Sequence, residues 1–299
     1  MTQGLTVEIN ELIALKRFAD SVHYRPENKA VRSGNHLSRL RGRGMAFSEV
    51  RHYQAGDEIR HMEWRVTART GRPHIKVYQE ERERPVVILT DFNASMYFGT
   101  RCAFKSVVAA RLAALIAWTV IKHGDRVGGL FYSPEMHQEF IPKSREQAVL
   151  PLLASLSHFT QQKPWTNQSA TSVPLHDALL RLRRVIKPGS MIVLISDFYQ
   201  MTQACESHLR SLRAHNDVLA YHICDPLELS PPPPSLYALS NGQQTCILDT
   251  TDKKIAKEYQ DWSNEQQLRI KTRLKRLTIP CHQDLSLLVR QTFPGRSYG

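Results

Sequence analysis

The stretch Val86-Val87-Ile88-Leu89-Thr90-Asp91-Phe92-Asn93-Ala94-Ser95-Met96 decides the fold. A continuous apolar, β-branched run that stops at an acidic residue has the pattern of a parallel strand buried on both faces. In open α/β sheets, ligand chemistry gathers at the carboxyl ends of such strands. Asp91 stands at such an end, and Asn93 and Ser95 follow it at alternate positions. Three oxygen-bearing side chains on one tight loop suit a small hard cation such as Mg²⁺. An Asp at this place also serves simply to stop the strand or cap the next helix.

A second stretch repeats the design: Gly189, then Ser190-Met191-Ile192-Val193-Leu194-Ile195-Ser196, then Asp197. Two buried parallel strands ending in Asp bring two carboxylates to one rim of one sheet. The segments between them have helical spacing. Val107, Val108, Leu112, Leu115, Ile116 and Val120 lie on one face of a helix over residues 104–123, closed by His123-Gly124. Further helices are expected over residues 145–158, 174–186, 202–214, 252–277 and 285–292. Strands are expected over 125–131, 136–141, 218–224, 236–239 and 245–249, the last two flanking Asn241-Gly242 as a hairpin. Alternating strands and helices predict an α/β fold, a doubly wound and mostly parallel sheet covered on both faces, over residues 85–299.

Residues 1–84 read as a smaller N-terminal appendage. It holds a helix over 6–19, strands over 45–53 and 73–80, and the turn Gln54-Ala55-Gly56-Asp57. Trp64 in this segment is expected to be mostly buried, its removal costing ~3–5 kcal/mol.

Two resemblances sharpen this reading. Asp91-x-Asn93-x-Ser95 followed by Ile195-Ser196-Asp197 resembles the metal-ion-dependent adhesion site of von Willebrand factor A domains. That site normally reads Asp-x-Ser-x-Ser, then a Thr, then an Asp. The family register puts Val173 at the Thr position, so Thr171 is the first choice for a displaced ligand and Ser172 the second. Upstream, Gly42 to Trp64, with Arg51-x-Tyr53-x-x-Gly56-Asp57 at its core and the pair Glu63-Trp64 at its end, resembles the signature of bacterial domain-of-unknown-function family fifty-eight. The resemblance implies a von Willebrand factor A-like domain with a divalent cation (Mg²⁺, or Mn²⁺ or Ca²⁺) held by Asp91, Asn93, Ser95, Thr171 and Asp197. It implies a partner of the MoxR-class AAA+ ATPase type, engaged in chaperone-like assembly or maturation. Arg51, Tyr53, Asp57, Arg60, Glu63 and Trp64 are then the candidates for partner contact on the appendage.

Composition bounds the alternatives. An apolar fraction of 41% over 299 residues supports a sizeable core. No apolar run reaches the ~20 residues of a membrane-spanning helix, and the first residues lack the pattern of a signal peptide, so a soluble cytoplasmic protein is expected. Five scattered cysteines with no Cys-x-x-Cys pair point to reduced thiols rather than a zinc site. The formal charge of +12 raises nucleic acid as a partner. The basic residues, however, interleave with Glu49, Asp57, Glu58 and Glu63, and the run from Arg269 to Arg276 fits the wet face of a helix. A non-enzymatic interaction module is therefore the leading function. A metal-dependent hydrolase and a basic nucleic-acid binder are the alternatives. The charge balance carries one further implication: a Lys or Arg is at hand to take the cation's place between the two carboxylates.

Overall fold

A computed structural model describes residues 4–19, 45–80, 83–100, 102–162, 173–240 and 245–283. The chain divides into two compact units, Lys29–Glu83 and the remainder, Met1–Asn28 with Arg84–Gly299. The first helix, α1 (Ile9–Ala14), continues as a 3-10 turn through Phe18. Its place differs from the sequence reading, which put residues 1–84 together. Leu12 and Leu15 enter the core of the larger unit, and the backbone nearby is held by side chains from distant elements. Val7 N donates to Thr160 Oγ1 at 3.1 Å, Ser157 Oγ donates to Val7 O at 2.8 Å, and Trp118 Nε1 donates to Leu12 O at 3.0 Å. An amphipathic segment this short is marginal alone and forms where it finds an apolar face to cover.

The smaller unit is an antiparallel pair, β1 (Met45–His52) and β2 (His74–Glu80), with α2 (Trp64–Thr70) between them in sequence. Glu63 caps α2, and Gly71 ends it at φ 67°, the left-handed conformation that favours glycine.

The larger unit carries β3 (Pro85–Asp91), α3 (Lys105–Lys122), β4 (Arg126–Tyr132), β5 (His137–Lys143), α4 (Val149–Thr160), α5 (Leu175–Val185), β6 (Met191–Ser196), α6 (Gln203–His215), β7 (Asp217–His222) and the one-turn α7 (Pro226–Leu229). A small hairpin of β8 (Leu236–Ser240) and β9 (Thr245–Asp249), the long α8 (Lys253–Arg276) and a two-residue β10 (Cys281–His282) complete it. The tip of that hairpin and the expected helix over 285–292 lie outside the described residues.

The central sheet has six strands in the order β10-β7-β6-β3-β4-β5, parallel throughout except for β5 at one edge. Side chains alternate across it. Val86 and Ile88 of β3 and Val193 and Ile195 of β6 join the core built with α1, α3 and α4. Val87, Leu89, Ile192 and Leu194 join the opposite core, built with α5, α6 and α8. Burial on both faces is why these strands read as unbroken apolar runs rather than as alternations.

Candidate rim site between two central strands

The connection after β3 runs through α3 to β4 on one side, while β6 pairs with β3 on the other. The strand order therefore reverses between β3 and β6, the place where open α/β sheets bind their ligands. Thr90 pairs with Ile195 in the parallel register. Asp91 thus ends one strand of this pair and Asp197 follows the other, on one edge.

Both carboxylates are buried, Asp91 at 2% and Asp197 at 1% exposure. Asp91 Oδ1 accepts from Asn93 N at 2.9 Å and from Asn93 Nδ2 at 2.8 Å, and Oδ2 accepts from Ser196 Oγ at 2.8 Å. Burial and the neighbouring Asp197 nevertheless push the Asp91 carboxyl up to about 6, against the lowering effect of those hydrogen bonds. The chain after Asp197 is strained: Phe198 takes φ 54°, costly for a bulky residue. Its N–H donates to Ser196 Oγ at 3.0 Å, and its ring is buried. That turn sets Asp197 Oδ1 to accept from Tyr199 N at 3.2 Å.

Asn93 is fully engaged. Its Oδ1 accepts from Val173 N at 3.0 Å and its Nδ2 donates to Val173 O at 3.1 Å, as well as to Asp91. Val173, the residue that the resemblance puts at the Thr position, contributes its backbone N–H and C=O to the Asn93 amide. Thr171 lies outside the described residues. Ser95, half-buried, lines a groove with Phe98, Tyr199, Glu228, Tyr259 and Trp262.

Two charged residues that the sequence reading did not single out complete the rim. Lys105, the first residue of α3 and 2% exposed, donates from Nζ to Asp197 Oδ2 at 2.9 Å and to Glu228 Oε1 at 2.7 Å. Burial pulls its pKa down, but the two carboxylates outweigh burial and hold it above the ordinary lysine value. Glu228 is delivered by α7: Asp225 caps this turn, and Glu228 Oε2 accepts from Asp225 N at 2.9 Å, a reciprocal capping box. Asp225-Pro226-x-Glu228 is the sequence signal that marks it. Beside the rim, burial lowers the His222 imidazole to about 4, and its Nε2 lies 3.2 Å from Cys224 Sγ. All five cysteines are free thiols.

A hard divalent cation needs several oxygens with lone pairs to spare. Here Asp91 and Asp197 each accept at both oxygens, Asn93 Oδ1 is taken by Val173, and an ammonium already sits on Asp197. Each carboxylate oxygen keeps a further lone pair, but with the ammonium on Asp197 and Asn93 Oδ1 turned to Val173 the described members of this donor set do not suit Mg²⁺, Mn²⁺ or Ca²⁺ while Lys105 stays in place. Among the described residues no cluster of three or more His, Cys, Asp or Glu side chains is placed to hold a metal.

In the smaller unit the six candidate contact residues divide by exposure. Arg51 pairs with Asp57 at 2.7 Å, which holds the Asp57 carboxyl below its usual range, and Asp57 also accepts from Gln54 N at 2.8 Å. Glu63 pairs with Lys76 at 2.5 Å and is likewise lowered by it. Tyr53 N donates to Pro73 O at 2.9 Å. Arg51, Tyr53, Asp57 and Glu63 are half-buried and brace the unit, while Arg60 and Trp64 are exposed. Trp64 corrects the expectation of burial: it is 66% exposed. It opens the short helix α2, and the side chains of that helix that turn inward are Val66 and Thr67, the latter accepting from His74 N at 3.0 Å.

Fold and rim together define an α/β protein with a charged site at its topological switch point. The chain belongs to the family described as "Protein of unknown function DUF58", whose profile matches residues 49–269. Uncharacterized proteins Mb1516 of Mycobacterium bovis and Rv1480 of Mycobacterium tuberculosis are each 31% identical to it over 202 residues, 68% of this chain. The chain spans 62% of the length of these curated relatives. Among solved structures, an aerotolerance-related membrane protein of Bacteroides fragilis matches 67% of this chain and 91% of its own, with 14% identity and a TM-score of 0.40. The conserved hypothetical protein BatB of Bacteroides thetaiotaomicron matches 65% of this chain and 98% of its own, with 12% identity and a TM-score of 0.33. No helix among the described residues is long and apolar enough to cross a membrane.

Proposed function

We propose that this chain is a von Willebrand factor A-like interaction module, not an enzyme, that binds a protein partner of the MoxR-class AAA+ ATPase type in the cytoplasm, in chaperone-like assembly or maturation. One observation carries the choice of binding over chemistry. Every oxygen of Asp91 and Asp197 is already hydrogen-bonded within the protein, at 1–2% exposure. A general base must reach the proton it removes, and a water-activating metal needs open ligands; burial of both carboxylates and the ammonium on Asp197 speak against either. What it does offer is a groove with aromatic walls at Phe98, Tyr199, Tyr259 and Trp262, opening beside Ser95. Aromatic-lined concavities with a few polar groups favour binding. The von Willebrand factor A-like assignment is supported by the Asp-ended strands meeting at the switch point.

The test is co-elution of the purified chain with a MoxR-class ATPase from the same cells, with Ser95→Arg as the rim variant. A stable complex that Ser95→Arg weakens at least tenfold supports the reading. Absence of a complex sinks it, as does hydrolysis of phosphoesters with Mg²⁺ or Mn²⁺ by the purified protein, or salt-sensitive retention on an arbitrary duplex in place of a protein partner.

A further inference from the structure

We propose that the Lys105 ammonium is the resident cation of this rim, occupying the electrostatic place of a divalent metal, so that the site is assembled without one. The placement of Lys105 is unfavourable in two ways that need an explanation. It is the first residue of an 18-residue helix, where the positive end of the helix dipole disfavours a cation. It is also buried to 2% exposure, and a buried ammonium is costly unless paired and hydrogen-bonded. Both costs are met by the same three groups. Asp197 and Glu228 accept from Nζ at 2.9 and 2.7 Å, and the Tyr199 ring lies 5.1 Å from it.

Each of those groups is itself fixed by something else. The strained turn at Phe198 sets Asp197 and Tyr199, and the capping box of α7 sets Glu228. Ser263 Oγ donates to Glu228 O and Tyr259 Oη to Leu227 O, which ties that turn to α8. The lysine is therefore received by a prepared cradle. For a divalent ion to take the same place, the ammonium would have to leave Asp197 and Asn93 would have to release Val173. An ion beside the ammonium instead would meet like-charge repulsion at short range. This inference deepens the partner-binding reading, but it is measured without any partner, so either can fail alone.

The experiment compares wild type, Lys105→Met and Lys105→Met/Asp197→Asn by thermal unfolding in chelator and in millimolar Mg²⁺ or Mn²⁺. Wild type is expected to show the same Tm in all three conditions. Lys105→Met leaves the buried Asp197 and the half-buried Glu228 uncompensated and should lower Tm by about 5–10 °C. Mn²⁺ should then restore several degrees, saturably, because the vacated place now attracts a cation. The double variant also removes the charge of Asp197, leaving only Glu228, whose side chain is 12% exposed, and should recover part of the loss while losing most of the response to Mn²⁺. If Lys105→Met does not fold, refolding of the double variant is the expected sign that an unpaired carboxylate was the cause. A wild type whose Tm rises with millimolar Mg²⁺ or Mn²⁺ overturns the proposal. So does a Lys105→Met protein as stable as wild type.

Discussion

Asn93 and Val173 hold each other at two points, the side-chain amide pairing with a backbone N–H at 3.0 Å and the same residue's C=O at 3.1 Å. The arrangement copies one rung of a sheet ladder with a side chain. It ties the loop after β3 to the segment entering α5, which are 80 residues apart. Asn93→Ala breaks both bonds and one of the three donors to Asp91, leaving part-buried backbone groups unpaired. At about 1 kcal/mol for each bond, more where a buried group is orphaned, the expected loss is about 2–4 kcal/mol. Asn93→Ser, too short to reach Val173, should cost nearly as much. Urea midpoints decide this; a change within about 0.5 kcal/mol would mean that the brace contributes nothing.

The rim also fixes how stability depends on pH. Asp91 titrates at about 6 in the folded protein against an ordinary 3.8, so between these values the folded state binds more protons and stability falls as pH rises. His222 is opposite: about 4 when folded against 6.5, so the unfolded state binds more protons and stability rises with pH between them. At 1.36 kcal/mol for each pH unit separating folded from unfolded pKa, each contribution is on the order of a few kcal/mol, and the two oppose one another. Asp91→Asn should therefore unmask a stability that climbs from about pH 4 to 6.5, and His222→Gln one that declines over about pH 4 to 6. Chemical denaturation at steps across that range reads both slopes. Parallel pH profiles for wild type and the two variants would show that neither group titrates as its surroundings dictate.

Much of the α/β body was legible because burial on both faces leaves an unmistakable mark. Val86–Leu89 and Met191–Ile195 are apolar without a break, and each ends in an Asp that the parallel register brings to one edge. The partners of those carboxylates were not legible in the same way. Lys105 begins a largely apolar helix, and Glu228 sits in a four-residue turn whose capping box is visible only if Asp225 and Glu228 are read together. Val173 contributes backbone atoms, which no side-chain pattern reports. Trp64 misled because a Trp among turns and charges has the composition of a small core, whereas α2 is too short to bury more than one side of itself. The N-terminal helix was legible as a helix but not as part of the larger unit, since its partners Trp118, Ser157 and Thr160 are more than 100 residues away.

Gly128 supplies a test of the sheet edge. The pairing of β4 with β5 slips between Val127 and Gly129. A Cβ at Gly128 would lie 2.4 Å from Phe140 O and 2.7 Å from Pro142 N, contacts that backbone cannot yield cheaply. Pro142, with no N–H to donate, is tolerated at such an irregular edge. Gly128→Ala should push β5 away and cost about 2–4 kcal/mol, as overpacking does. Loss of amide protection in β5 with β3 still protected is the expected hydrogen-exchange result, and an unchanged exchange pattern would show that the bulge absorbs a methyl group.

Trp64 and Trp118 separate structure from recognition. Trp118 is 4% exposed, donates its indole N–H to Leu12 O at 3.0 Å and packs in the core of the larger unit. Trp118→Ala should cost about 3–5 kcal/mol through lost burial and an unpaired carbonyl. Trp64, at 66% exposure, has little burial to lose, and Trp64→Ala should stay within about 1 kcal/mol of wild type. Ile59, 62% exposed in the same unit, is a second large apolar side chain turned to solvent. Exposed Trp is over-represented among residues whose truncation costs a complex more than 1 kcal/mol. If the smaller unit takes part in partner binding, Trp64→Ala with Arg60→Glu should weaken the complex at least tenfold at unchanged Tm. A complex of wild-type affinity from that pair of substitutions would place recognition on the rim of the larger unit, where Ser95→Arg is the corresponding probe.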